Sequence, residues 1–337
     1  MDGSTTRKST LMPTFVQKPS NDTPVRKAVR NYMIRRVSHS IFIILGLMAL
    51  LFFAINVLGD PVELLLDEEA SQEVIEALRK KYGLDRPVYV RFGDFYKNLL
   101  TGNFGKSIRH KIGAGGLVLD RLPNTAALAV VAWTLGSIGI PLGMLAARRP
   151  RGVVDRLVNL LSFAIISVPE FWLALMIILV VSVQWGLFPT SGFDGLGPGG
   201  WKFIILPALS LCPRVMGRNA QITRATMIEE MGKQYVATAR AKGLTENAVL
   251  YIHVLKNAAI SIVTMMGDEL AGFMNGATVA EVIFGWPGLG KLVIDSINAR
   301  DLPVVTAAVF VIALMVMVIN LTVDLIYTWL DPRISYK

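Results

Sequence analysis

The stretch QYVATARAKGLTENAVLYIHVLKN, residues 234–257, is a polar, net-basic insert between two hydrophobic segments, each too long for an ordinary soluble helix. Tyr235, Val236, Ala239 and Lys242 recur at helical spacing, and Gly243 can take the positive φ that closes a helix. Leu244, Val249 and Leu250 then restart the apolar pattern. The insert reads as a helix, a break at Gly243 and a second helix, projecting from a membrane to be held by something outside it.

Composition agrees with a membrane setting. Of 337 residues, 53% are hydrophobic and 18% charged, and mean hydropathy is +0.51, which is more apolar surface than a soluble core of this length needs. The net charge of +9 falls mostly at the ends of hydrophobic spans and not along one face with interleaved aromatics, which argues against nucleic acid as a partner. The single cysteine, Cys212, forbids an intrachain disulfide or a cysteine metal cluster.

Working outward, the expected fold is an all-α integral membrane protein with six transmembrane helices. Residues 1–30 read as a disordered cytoplasmic tail and 31–58 as the first transmembrane helix, entered from inside behind Arg35-Arg36. Residues 59–123 read as a large external region, the periplasmic region if the chain is a bacterial inner-membrane protein, with Val74, Ile75, Leu78 and Tyr82 marking one face of an amphipathic helix. Residues 124–330 form a five-helix core containing the cytoplasmic loop 228–257, and 331–337 a cytoplasmic C-terminus. Gly139 and Gly143 stand at GxxxG spacing in the second span, where small residues let another helix approach. Arg148, Arg149 and Arg151 then place the next turn inside. The third span, 155–187, is expected to tilt or kink at Pro169, the fourth runs over 203–227, the fifth over 257–284 and the sixth over 304–330. Both termini are therefore expected inside.

Two sequence features resemble catalytic or nucleotide motifs and fail on detail. GWPGLGK, residues 285–291, fits the spacing of a phosphate-binding loop, but Leu292 stands where Ser or Thr must ligate magnesium, and a membrane helix precedes it where a strand is needed. A periplasmic re-entrant turn or gate explains it better, with Glu281, Trp286, Pro287, Gly288 and Gly290 as gate candidates. His253 lacks companions for a metal site, and no nucleophile has a base beside it. The chain is read as a mover of solute and not an enzyme.

Polar groups at membrane depth mark the expected path. Thr264, Asp268, Ala271, Gly272, Asn275 and Thr278 form a small, polar stripe on the fifth helix, and Glu170 follows Pro169 in the third. Path candidates are Glu170, Thr264, Asp268, Gly272 and Asn275. The competing reading is structural: Arg214 and Arg218, one turn apart in the fourth span, could neutralise Asp268, Glu269 or Glu170. Asp324, near the inner end of the sixth span, is expected to pair with a basic group.

Ala237-Thr238-Ala239, then Gly243 after three more residues, and His253-Val254-Leu255 after nine more resemble the coupling loop of bacterial ABC importer permeases. TARAKGL followed by HVLKNA is similar to the peptide/nickel-type branch, as are Asp60-Pro61, GLDRPV, SVPEFW, EVIFGWPGLG, RDLPVV and NLTVDLIYTWLDPRI. Ala237 replaces the family's Glu and His253 its Ile. The resemblance implies that Tyr235, Ala237, Ala239, Arg240, Lys242, Gly243, Leu244 and His253 dock on a cytoplasmic ATPase. It further implies a heterodimer with a second homologous permease, two ATP-binding subunits that hold ATP and magnesium, and a periplasmic binding protein. The implied cargo is a peptide, with an opine, glutathione, an oligosaccharide or a nickel complex as alternatives within the family. A channel or ion-coupled carrier is the reading outside it.

Overall fold

The structure, a computed structural model, describes residues 23–57, 76 and 85–330. Apart from Glu76, the expected amphipathic helix around 74–82 lies outside the described residues, as does the segment 331–337. Among the described residues the architecture is helical, with one isolated bridge between Lys106 and Gly113.

Helix α1 (Thr23–Val57) packs on the last helix, burying Ile44 and Met48. It begins inside the stretch read as tail. After it, α2 (Val88–Leu100) lies beside α1, and the Tyr96 hydroxyl donates to the Leu45 carbonyl at 2.6 Å. Helices α3 (Ala114–Gly136) and α4 (Gly139–Arg148) follow each other with a short break, so this span starts ten residues before the expected core boundary at 124. Leu117 and Val118 in those added turns are buried against the C-terminal helices, which is what extends the helix.

The third expected span is not one rod. It comprises α5 (Val153–Ile166) and α6 (Glu170–Ile177), the latter continued by π-type turns through Gln184, with a 93° bend between the two halves. Pro169 supplies the reason, because it cannot donate to the preceding turn and pushes Val168 out of the α region.

Helix α7 (Trp201–Met231) is the centre of the molecule and packs against α3, α4, α5, α6 and α9. It passes unbroken through Pro207 and Pro213. The GxxxG glycines of α4 seat directly on it. A Cβ at Gly139 would stand 2.0 Å from the Met216 carbonyl oxygen, and one at Gly143 2.4 Å from that of Ala220. Asn219 adds a donated bond to the Gly136 carbonyl at 3.0 Å. The two backbones touch because nothing else fits between them.

The insert follows as α8 (Gln234–Ala241), then Gly243 at φ +79°, then a turn over Glu246–Ala248 that continues through π-type turns into α9 (Leu255–Gly276). Helix, break and helix follow within residues 228–257 in the order read from the sequence, with α7 reaching Met231 and helix resuming at Glu246. A corner follows, made of α10 (Thr278–Ile283), Gly285 at φ +64° and α11 (Leu289–Asn298), before α12 (Leu302–Leu330) closes the chain.

Four helical stretches are long and apolar enough to cross a membrane, Met33–Asn56, Ala114–Arg148, Glu246–Met274 and Leu302–Ile326, and the bent α5–α6 pair makes up to five. The expected six are not all distinguished by hydropathy. Helix α7 is long enough, but Arg214, Arg218 and Asn219 in its middle dilute its apolar character. The fold is all-α and multi-pass.

Candidate functional site

Three places gather the residues singled out above: the insert, a polar face shared by α7 and α9, and the corner at the far end of α9.

In the insert, Thr245 caps the restarting helix by accepting the Ala248 N–H at 3.3 Å. Val236 and Ala239 are buried in a cluster with Met227, Val249, Leu250 and Val254, so α8 lies with its apolar face on its own bundle. Tyr235 sits on this cluster, and its hydroxyl donates to Glu230 at 2.8 Å. Burial and that carboxylate push the phenol up to about 12. The outward face comprises Ala237, Thr238, Arg240, Ala241, Lys242, Gly243 and Leu244. Arg240 forks onto Glu246 at 2.8 and 3.2 Å, and His253 is half-buried. Tyr235 and Ala239, read as docking residues, therefore face inward. On a two-turn helix the apolar stripe goes to whichever surface is nearest, here the end of α7.

On the second face, Thr264, Asp268 and Gly272 are all exposed along α9, and Arg214 and Arg218 are exposed on α7. Arg218 bonds the buried Glu269 at 2.8 Å and reaches the exposed Asp268 at 3.6 Å. The competition foreseen from sequence resolves in this way: Glu269 takes the close ion pair, and Asp268 keeps a side chain 66% exposed. Glu170, at the start of α6, has one buried carboxylate oxygen without a hydrogen-bond partner, and Arg214 is its electrostatic neighbour. The Asn275 side chain lies outside the described residues. Elsewhere Asp155 is gripped by both arms of Arg224, fastening α5 to α7, and Asp324 pairs with Arg36 at 2.8 Å.

At the corner Glu281 is fully buried. It accepts from the Thr125 hydroxyl at 2.6 Å and from the Lys291 N–H at 2.9 Å, while Thr125 accepts from the Leu289 N–H at 2.7 Å. The carboxylate thus occupies the first turn of α11. The Trp286 indole donates to the Asn124 carbonyl at 3.0 Å, and Asn124 returns a bond to the Pro287 carbonyl at 2.9 Å. Gly288 lies against Glu281 with no room for a Cβ, and Gly290 lies as tightly against Thr278.

Residues 139–336 match the family model described as "Binding-protein-dependent transport system inner membrane component", and residues 29–129 match that of its N-terminal part. The chain belongs to this permease family. It is 40% identical to the oligopeptide transport system permease protein AppB of Bacillus subtilis (strain 168), over 90% of this chain and 99% of that protein. The glutathione transport system permease protein GsiC of Escherichia coli (strain K12) is 36% identical over 91% of this chain and 99% of its own length. Among solved structures, the inward-facing MetNI methionine ABC transporter shares the fold at TM-score 0.51 and 19% identity, covering 64% of this chain and 96% of that one.

The permease is a transport subunit and not an enzyme, an inner-membrane component of an importer that works with a binding protein and an ATPase. Sequence reasoning missed two parts of it. Helix α11 hid behind the glycines and proline of GWPGLGK, although KLVIDSIN carries an amphipathic pattern that could have revealed it. The Asp155–Arg224 clasp joins residues 69 apart and left no local signal.

Proposed function

We propose that this permease forms half of a translocation path for a peptide or similar small solute, paired with a second homologous permease and driven by two ATP-binding subunits. Counting α7 and the broken α5–α6 pair as crossings gives six spans. Arg148, Arg149, Arg151, Lys233 and Lys242 then lie on the cytoplasmic side, both termini are inside, and the corner is periplasmic.

The observation that carries the reading is the exposed polar face on α7 and α9. Arg214, Arg218, Asp268 and Thr264 stand open in a chain otherwise clothed in Leu, Ile, Val and Phe. Charged groups in a membrane helix face a partner or an aqueous cavity, not lipid. Asp268 offers a carboxylate for an ammonium group and Arg214 a guanidinium for a carboxylate, the two ends of a peptide. The names of AppB and GsiC, oligopeptide and glutathione transport permeases, support the same cargo class.

Coupling falls to the outward face of α8 and the Gly243 turn. Ala237, Arg240, Lys242 and Leu244 present a surface that an ATPase groove can hold, while Tyr235 and Ala239 transmit its movement to α7 and His253 packs behind them. Glu281, Trp286, Pro287, Gly288 and Gly290 brace the periplasmic rim.

The test is peptide uptake by proteoliposomes containing the whole assembly. Leu244→Arg is expected to abolish peptide-stimulated ATP hydrolysis and uptake together, and Asp268→Asn to lower peptide uptake at least tenfold while ATPase subunits still co-elute. Full uptake by Leu244→Arg would remove the coupling role, and full uptake by Asp268→Asn would remove the path.

A further inference from the structure

Beside the corner lies a cavity of about 260 Å³ that neither the path nor the insert uses, lined by Arg109, His110, Arg121, Lys291, Asp295 and Asp301 among others. Its two carboxylates are already engaged. Lys291 bonds Asp295 at 2.8 Å. Asp301, buried at the start of α12, accepts the Ser107 hydroxyl, the Ile108 N–H at 3.1 Å and the Arg109 N–H at 3.3 Å. Arg109 and Arg121 have no ion-pair partner among the described residues. Two guanidiniums are left over in one cavity.

The frame that holds them is rigid. Asp301 ties residues 107–109 to the foot of α12, the His110 N–H bonds the Ser107 hydroxyl at 2.8 Å, and Arg121 rises from α3. The backbone that carries Arg109 is thus held in place, and the two free guanidinium forks suit a planar carboxylate. Its volume falls below the roughly 300–1,000 Å³ of a small-molecule pocket and fits one side chain better than a peptide.

We infer that the Arg109–Arg121 cavity receives an acidic side chain presented by the soluble binding protein. The inference rests on the proposed sidedness, because it needs the corner to face the binding protein. The distance supports it: the cavity is separated from the insert by the 22 residues of α9, roughly 33 Å of helix, so it cannot belong to the ATPase contact. A membrane-anchored assembly gains encounter rate from a basic recess aimed at an acidic partner.

The experiment titrates the binding protein against the intact four-subunit assembly in nanodiscs of zwitterionic lipid, comparing wild type, R109Q/R121Q and R109E/R121E, with co-elution of the ATPase subunits checked for each. The expected result is an affinity at least tenfold weaker for the glutamate pair, a smaller loss for the glutamine pair, and a shallower salt dependence for both. Arg substitution of one acidic residue on the binding protein should restore binding to R109E/R121E alone. Unchanged affinity in both variants, with wild type responding normally, would overturn this inference and leave the proposed function standing. No response of wild type to any binding protein would instead break the proposed function. A defect that appears in anionic-lipid nanodiscs and is absent in zwitterionic ones would overturn the inference in favour of a lipid headgroup.

Discussion

The two ends of α9 solve opposite problems. At the corner the buried polar groups are consumed internally: Glu281, Thr125, Asn124 and Trp286 satisfy one another and the first turn of α11, and Gly288 and Gly290 let the backbone close onto them. At the insert the side-chain hydrogen bonds are local, joining residues no more than six apart, such as Tyr235 to Glu230 and Arg240 to Glu246, and one whole face of α8 is left open. A closed network resists displacement and an open one accepts a partner. By hydrogen bonds the corner is tied to distant parts of the chain and the insert only to itself, which suits the ATPase-facing surface proposed for it.

The comparison breaks most sharply at Gly288. A Cβ there would stand 2.1 Å from the Glu281 carboxylate and 2.5 Å from the Thr125 hydroxyl. Gly288→Ala should therefore cost about 3–5 kcal/mol by opening a buried charged network, seen as lost assembly and a lower thermal midpoint in detergent. Glu281→Gln keeps the shape but turns an amide donor toward either the Thr125 hydroxyl or the Lys291 N–H. About 1–3 kcal/mol is expected for that mismatch, and an equal stability of Gln and Glu would mean that the network is looser than its distances suggest.

The insert should yield less. Tyr235→Phe removes one bond to a carboxylate, about 1–2 kcal/mol, and should show as faster amide exchange over residues 234–241 with the corner unchanged. The same bond gives a pH dependence. The Tyr235 phenol, raised from the ordinary 10 to about 12, contributes its stabilisation in full below pH 10 and loses it as pH rises through 12. Amide exchange in the insert should accelerate across that window in the wild type, beyond the ordinary pH trend, and not in Tyr235→Phe. Smallest of all is Arg240→Ala. Its pair with Glu246 is exposed on both sides, so the thermal midpoint should not move, and any change in coupling must come from contact with a partner.

What the sequence disclosed follows the reach of its signals. The GxxxG spacing at Gly139 and Gly143 was legible because close approach needs only two small residues one turn apart, and the structure puts them on α7. Of the stripe Thr264, Asp268, Ala271, Gly272, Asn275 and Thr278, the helical period puts Thr264, Asp268 and Gly272 on an exposed face, while Ala271 is buried and Thr278 half-buried. Pro169 announced a kink but not a 93° bend, since the angle is decided by what α6 packs against. Facing was the weakest inference: Tyr235 and Ala239 sit on an eight-residue helix whose apolar side had two possible covers, and only the tertiary fold chooses. The role of Glu281 needed α11 to exist, and α11 was masked by the turn residues before it.

The contact of α4 with α7 has a mechanical meaning. Where Gly139 and Gly143 lie on the Met216 and Ala220 carbonyls, backbone rests on backbone with Asn219 and Thr223 packed beside it, a contact too tight to slide, so the two helices are expected to move as a single beam. Helix α8 joins that beam at Gly232, one residue past its end. Under the proposed coupling, a push on the insert would run along the 31 residues of α7, roughly 46 Å, with α4 carried along at this contact. Any rocking of the bundle must be taken up at other seams, such as the bend between α5 and α6.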